Sequence, residues 1–173
     1  YEKIRELVQG GELGDLMRVV WIMTDWFRSE AYFQSGGWRA TWKGEGGGVL
    51  LNQCLHQLDV MQWILGMPAK VSSQVGIGKH HDIEVEDDVT CYLEYPNGAS
   101  GVFISSTGET PGSNRFEITG TKGAIKFDQE DQNAIWLYQM DGPEAQRGFT
   151  KILTGPAHPD YLPFCQGPGH GTG

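Results

Sequence analysis

The stretch Gly46-Gly47-Gly48-Val49-Leu50-Leu51-Asn52-Gln53-Cys54-Leu55-His56-Gln57-Leu58-Asp59 decides how this chain is organised. A glycine run permits close backbone approach, and the residues after it repeat at helical rather than strand spacing. The pattern predicts a helix from about Val49 to Leu65, ended by Gly66 and Pro68. At about 100° per residue, Leu51, Cys54, Leu55, Leu58, Met61 and Leu65 form the expected core face. Asn52, His56, Asp59 and Trp63 share a second, polar face, one helical turn apart from each other.

Upstream, Tyr1 to Val8 places Ile4, Leu7 and Val8 on one side of a short amphipathic helix stopped by Gly10-Gly11. Leu16 to Met23 reads as a strand, and a loop from Asp25 to Gly48 follows it. A loop that long in a compact domain is usually functional or disordered, and Trp26, Arg28, Tyr32, Trp38, Arg39 and Trp42 argue against disorder. Downstream the period changes to two. Strands are expected at Lys70–Gly78, Asp88–Tyr95, Ala99–Thr107, Arg115–Thr119, Ala124–Phe127 and Ala134–Met140. Asn97-Gly98 and Gly120-Thr121-Lys122-Gly123 supply hairpin turns, so the sheet should be a largely antiparallel meander. Residues 156–173 are rich in Pro, Gly and His without apolar periodicity and are assigned no element. Length and the absence of an internal boundary predict one domain over residues 1–173.

With 13 Lys plus Arg against 22 Asp plus Glu, the formal charge is -9. Such a surface repels phosphate backbones and anionic lipid, so neither nucleic acid nor membrane is an expected partner. No apolar run reaches the roughly 20 residues of a membrane span, and the first residues lack signal-peptide order. The expectation is a soluble cytoplasmic protein. Cys54, Cys91 and Cys165 are odd in number and form no CxxC pair, which predicts reduced thiols, with Cys54 and Cys91 packed as small apolar side chains.

Histidine suits proton transfer near neutral pH, and a neighbouring polar or acidic side chain can orient it. A carboxylate one turn away can also stabilise its charge, so His56 with Asp59, on one face with Asn52, is the candidate site for taking up a hydroxyl proton. The competing reading is that His56 only satisfies its hydrogen bonds beneath the long loop. Asn52, His56 and Asp59 make a poor metal set, because zinc favours His, Cys and carboxylate over amide, and no metal is expected. His80-His81-Asp82-Ile83-Glu84-Val85-Glu86-Asp87-Asp88 reads as a solvated loop leading into a strand. In the long loop, Arg28 and Arg39 can direct hydrogen bonds while Trp38 and Trp42 stack on a sugar face. The plainer alternative is core tryptophans, with arginines paired to Glu30 or Glu45.

The Gly46–Asp59 run, with Trp63 and Gly66 after it, resembles the glucose-fructose oxidoreductase/inositol dehydrogenase/MocA family. Gly11-Glu12-Leu13-Gly14, Trp38-Arg39 with Trp42, Val85-Glu86-Asp87-Asp88 and Gly120-Thr121-Lys122-Gly123 extend the likeness over about residues 1 to 140. The resemblance implies an α+β fold: an open, predominantly antiparallel β-sheet with helices packed on one face. It implies a substrate-binding C-terminal domain whose sheet face forms a homo-oligomer, dimer or tetramer. It also implies an N-terminal Rossmann domain for NAD or NADP. No GxGxxG and no Glu-Lys-Pro occurs in these residues, so the chain alone is expected to bind no cofactor and turn nothing over. The family pattern Asp-x-x-x-His places the acid-base residue at His56 and puts Asn52 where the aspartate usually stands. An amide there can orient a hydroxyl but cannot stabilise an imidazolium by charge. The function implied is NAD(P)-dependent oxidation of a sugar, polyol or related secondary alcohol. An NAD-dependent glycosidase of the same fold and a non-catalytic oligomerisation or ligand-binding module are the alternatives.

Overall fold

The computed structural model describes residues 1–131, 133–141, 143–144 and 147–154. The tail read as irregular, and Cys165 within it, lie outside the described residues. Helices α1 (Glu2–Gln9), α2 (Glu30–Gln34) and α3 (Leu55–Leu65) accompany strands β1 (Leu16–Met23), β2 (Lys70–Ile77), β3 (Glu86–Glu94), β4 (Ser100–Ser106), β5 (Asn114–Gly120), β6 (Gly123–Asp128), β7 (Ala134–Gln139) and β8 (Phe149–Leu153).

All eight strands form one sheet in the order β2-β3-β4-β1-β5-β6-β7-β8. Two antiparallel meanders, β2 to β4 and β5 to β8, flank β1, which runs parallel to β4 and antiparallel to β5. This is the α+β architecture expected, open at both edges, with one parallel pair that period-two reading could not place. The α2 helix was not expected in the long loop; its signal is Ser29, whose hydroxyl accepts from Tyr32 N at 3.3 Å as an N-cap. Strand β8 was also not expected.

Register explains the core. Trp21 pairs with Phe103 on β4 and Phe116 on β5, so three aromatic side chains stand side by side on one face. Trp21 stacks on Phe116 with centroids 4.3 Å apart and meets Phe103 edge-on at 6.4 Å. The apolar sides of α1 (Ile4, Leu7) and α3 (Met61, Ile64) join the same cluster, so the helices cover that face of the centre. Two glycine-bounded segments dock together at the sheet's end. Lys122 N donates to Leu13 O and Asp15 N to Thr121 Oγ1, and a Cβ on Gly120 would lie 2.2 Å from Leu13 O. Glycine is needed there by that approach alone.

Candidate active site

The glycine run is held by the start of β3. A Cβ on Gly48 would stand 1.9 Å from the Glu86 carbonyl oxygen, so no other residue fits. Beside it, Val49 N donates to Glu86 O at 2.8 Å and Leu50 N to Glu86 Oε1 at 3.2 Å. The chain then makes turns rather than a helix: Asn52 N reaches Gly48 O, but Cys54 N reaches back to Val49 O. That wider turn breaks the helical phase, and α3 begins at Leu55 instead of about Val49. The expected core face is corrected accordingly. Leu51 and Leu55 are exposed, while Val49, Cys54, Met61 and Ile64 are buried.

The polar face of α3 is open. His56 and Asp59 are both exposed, and His56 forms no side-chain hydrogen bond with the described residues. Asp59 accepts from Gln62 Nε2 at 3.1 Å on its own helix. Trp63 carries the Arg5 guanidinium 4.4 Å above its ring, which ties α1 to α3. Asn52 is joined to the long loop through Glu45: its Nδ2 donates to Glu45 Oε1, and Glu45 Oε2 accepts from Ala40 N at 2.7 Å. Glu45 is the connection that sequence reading missed. Its signal was an acidic residue directly before the glycines.

The long loop is ordered by aromatic and cationic stacking. The Arg39 guanidinium lies 4.6 Å from both the Tyr32 and Trp38 rings, and its Nη1 donates to the Tyr32 hydroxyl at 2.9 Å. Arg28 lies 5.0 Å from the Tyr32 ring and 5.3 Å from the Trp26 ring. Neither arginine pairs with Glu30 or Glu45. Trp38 and Trp42 are 50% and 54% exposed, so they are not core plugs. The structure thus brings Arg28, Arg39 and Trp38 together around Tyr32 and links Asn52 to the same loop. No contact joins His56 to Asn52 or Asp59 among the described side-chain bonds.

The run His80–Asp88 is only partly the solvated loop expected: His80, Asp82 and Glu84 are exposed, whereas His81 and, at the start of β3, Glu86 and Asp87 are buried and form a strut. Asp87 is 1% exposed and accepts from the backbone N–H groups of Lys79, His80 and His81. His81, 8% exposed, faces Asp87 Oδ2 through Nδ1 at 3.0 Å and the Arg28 carbonyl through Nε2 at 2.8 Å. The strut therefore fixes the loop at Arg28, where Arg28 N also donates to Thr107 O at 2.9 Å. The charge of Asp87 is met by the main-chain N–H groups of Lys79, His80 and His81, which a reading of side chains does not count.

Burial governs the ionisation of the groups below the site. The Cys54 thiol is pushed up to about 12 by desolvation and sits 2.8 Å from Ser105 Oγ, and burial also raises Cys91. Both cysteines are buried free thiols, as expected. Among the described residues no cluster of His, Cys, Asp or Glu is placed to hold a metal ion, and no helix is long and apolar enough to cross a membrane.

The chain is similar to known proteins over most of its length. A model of the GFO/IDH/MocA C-terminal domain matches residues 1–126. Levoglucosan dehydrogenase of Pseudarthrobacter phenanthrenivorans is 26% identical over 147 residues, 70% of this chain and 37% of that protein. Trans-1,2-dihydrobenzene-1,2-diol dehydrogenase of Bos taurus is 33% identical over 128 residues, 73% of this chain and 35% of that protein. The solved WlbA dehydrogenase of Chromobactrium violaceum, in complex with NADH and UDP-GlcNAcA, is 26% identical and covers 83% of this chain and 41% of its own, with a TM-score of 0.73. The chain spans little more than a third of the length of the two curated relatives.

Proposed function

This chain belongs to the GFO/IDH/MocA family, and from that premise we propose that the full-length protein is an NAD(P)-dependent dehydrogenase of a sugar, polyol or related secondary alcohol. The chain is its substrate-binding domain, with residues 1–173 as one unit. The sheet's one parallel pair is β1 with β4, and no glycine-rich turn leads from β1 into a helix. The cofactor is therefore assigned to a domain outside these residues, and the isolated chain should bind none and turn nothing over.

The observation that carries the reading is His56. It stands exposed on α3 with no hydrogen bond from its ring among the described residues, four residues after Asn52, which Glu45 ties to the aromatic loop. A nicotinamide supplies hydride exchange when bound; this chain supplies the proton site and the grip on substrate. As the carbon–hydrogen bond of the alcohol gives up its hydride, the hydroxyl proton passes to the free imidazole nitrogen of His56, leaving a neutral carbonyl and an imidazolium. With Nδ2 engaged by Glu45, Asn52 Oδ1 is left to accept from a second substrate hydroxyl. Trp38 and Trp42 offer faces for the ring, and Arg28, Arg39 and Asp59 offer polar contacts. In the full-length protein, His56→Gln should lower kcat by about a hundredfold or more while cofactor affinity stays unchanged. An unchanged kcat removes His56 from the mechanism.

The uncovered sheet face favours a homo-oligomer. Tyr92 is exposed there, and Val20, Ile22, Val102 and Ile104 are half-buried in a continuous band across β3, β4 and β1. Sedimentation of Tyr92→Glu should show a smaller species than the parent. A parent that is monomeric at high concentration contradicts this.

A further inference from the structure

We propose that Arg28 and Arg39 form an anion seat, so that the substrate carries a carboxylate or phosphate group. This rests on the reading above that the aromatic loop lines the substrate site.

The inference starts from how the carboxylates around the loop are used. Glu30 Oε1 accepts from Asp82 N at 3.1 Å, Glu45 Oε2 from Ala40 N at 2.7 Å and Glu84 Oε2 from Trp42 N at 3.3 Å. Each is engaged by a backbone amide, and Glu45 by Asn52 Nδ2 as well. Arg28 and Arg39 have no ion-pair partner among the described residues. Their hydrogen bonds go to neutral oxygens instead: Arg28 Nη1 to Phe27 O at 3.1 Å, and Arg39 Nη1 to the Tyr32 hydroxyl. Arg28 Nε is buried and has no acceptor among the described residues. A buried charged donor left unmet costs free energy, and such a group in a native fold calls for a partner that arrives later.

Geometry supports a shared target. Both guanidinium carbons lie within about 5 Å of the centre of the single Tyr32 ring, with the Trp26 ring 5.3 Å from Arg28 and the Trp38 ring 4.6 Å from Arg39. Packing against these rings restrains both side chains, and the guanidinium N–H groups not engaged by Phe27 O or the Tyr32 hydroxyl can meet carboxylate or phosphate oxygens. Trp38, half exposed beside Arg39, offers the adjoining apolar surface for the rest of the molecule. The overall charge of -9 does not oppose this at contact range, because charges more than a Debye length of about 8 Å away are screened.

The test is equilibrium titration of the full-length protein, with nicotinamide cofactor at saturation so that nucleotide phosphate sites are filled. The probes are D-glucose, D-glucuronate and D-glucose 6-phosphate. Binding does not require turnover, so a failed hydride-transfer reading and a failed anion seat give different results. At least one anionic probe should bind at least tenfold more tightly than D-glucose, and its affinity alone should fall as salt is raised. The better of the two anions identifies carboxylate or phosphate as the group recognised. Arg39→Gln should erase most of that preference, and Arg39→Lys, which keeps the charge but not the fork, should retain part of it. Equal or tighter binding of D-glucose, no binding of either anion at millimolar concentration, or an anion preference untouched in Arg39→Gln and Arg28→Gln overturns the proposal.

Discussion

Replacing Asp87 by Asn tests the strut that anchors the aromatic loop. The side chain is fully buried, and its two oxygens accept four bonds: Oδ1 from Lys79 N, and Oδ2 from His80 N, His81 N and His81 Nδ1. An amide of the same shape can keep its oxygen toward the three donors on the Oδ2 side. Its NH2 then confronts the Lys79 N–H, donor against donor, and the other three bonds lose their charge assistance. A hydrogen bond to a charged group contributes about 1.5–3 kcal/mol, and an unmet buried donor costs about 1–3 kcal/mol. Together the expected loss is about 3–5 kcal/mol, a large part of the 5–15 kcal/mol of a typical domain. For a chain this size it lowers Tm by roughly 6–20 °C. Urea unfolding followed by tryptophan fluorescence measures it, and limited proteolysis should place the first new cleavage between residues 25 and 48. A variant within about 1 kcal/mol of the parent, cut no faster in that loop, refutes the assignment of Asp87 and His81 as its anchor.

Gly48→Ala should destabilise by more than about 2 kcal/mol or displace the 46–54 segment, since its Cβ would overlap Glu86 O, whereas Gly37→Ala, with nothing within 4 Å, should be neutral by thermal melting. With its thiol pushed up to about 12, Cys54 should resist a thiol-specific disulfide reagent at pH 8 until the protein unfolds; prompt labelling of the native state contradicts its burial. Burial works to raise the Asp88 carboxyl, but Lys79 and His80 outweigh it and hold the group below the usual carboxylate range. Its stabilising contribution is thus present above that range and lost as pH falls through the lowered value, so Asp88→Asn should flatten the acid limb of a stability–pH curve. Asp25 runs the other way: burial raises its carboxyl, so stability is lost as pH rises through that raised value, and Asp25→Asn should be relatively more stable at neutral than at acid pH.

Much of the fold was legible because period and punctuation agree. Seven strands and the Asn97-Gly98 and Gly120–Gly123 turns fall within two residues of their expected places. What escaped depends on distant backbone. Nothing local tells that β1 lies between β4 and β5, or that Gly48 abuts Glu86 and so delays α3 to Leu55. Charge misled at His81 and Asp87 because their partners are main-chain groups, which a reading of side chains does not count. At the candidate site, the residue types were visible and the connections were not. Glu45 joins Asn52 to the loop, and Tyr32 gathers two arginines that looked like independent contacts.

The position of β1 also bears on how quickly the protein reaches its folded state. Val19 pairs with Gly101, 82 positions later, and with Ile118 beyond that, while the two meanders need only short hairpin closures. Contacts of such sequence separation must overcome loop-closure entropy before they contribute, and they slow folding. The two meanders can therefore assemble early and separately, with β1, the first of the described strands in chain order, inserted between them afterwards. Until it is in place, the inner edges of β4 and β5 are unpaired, and that interval is when the nascent chain is most exposed to association with its neighbours.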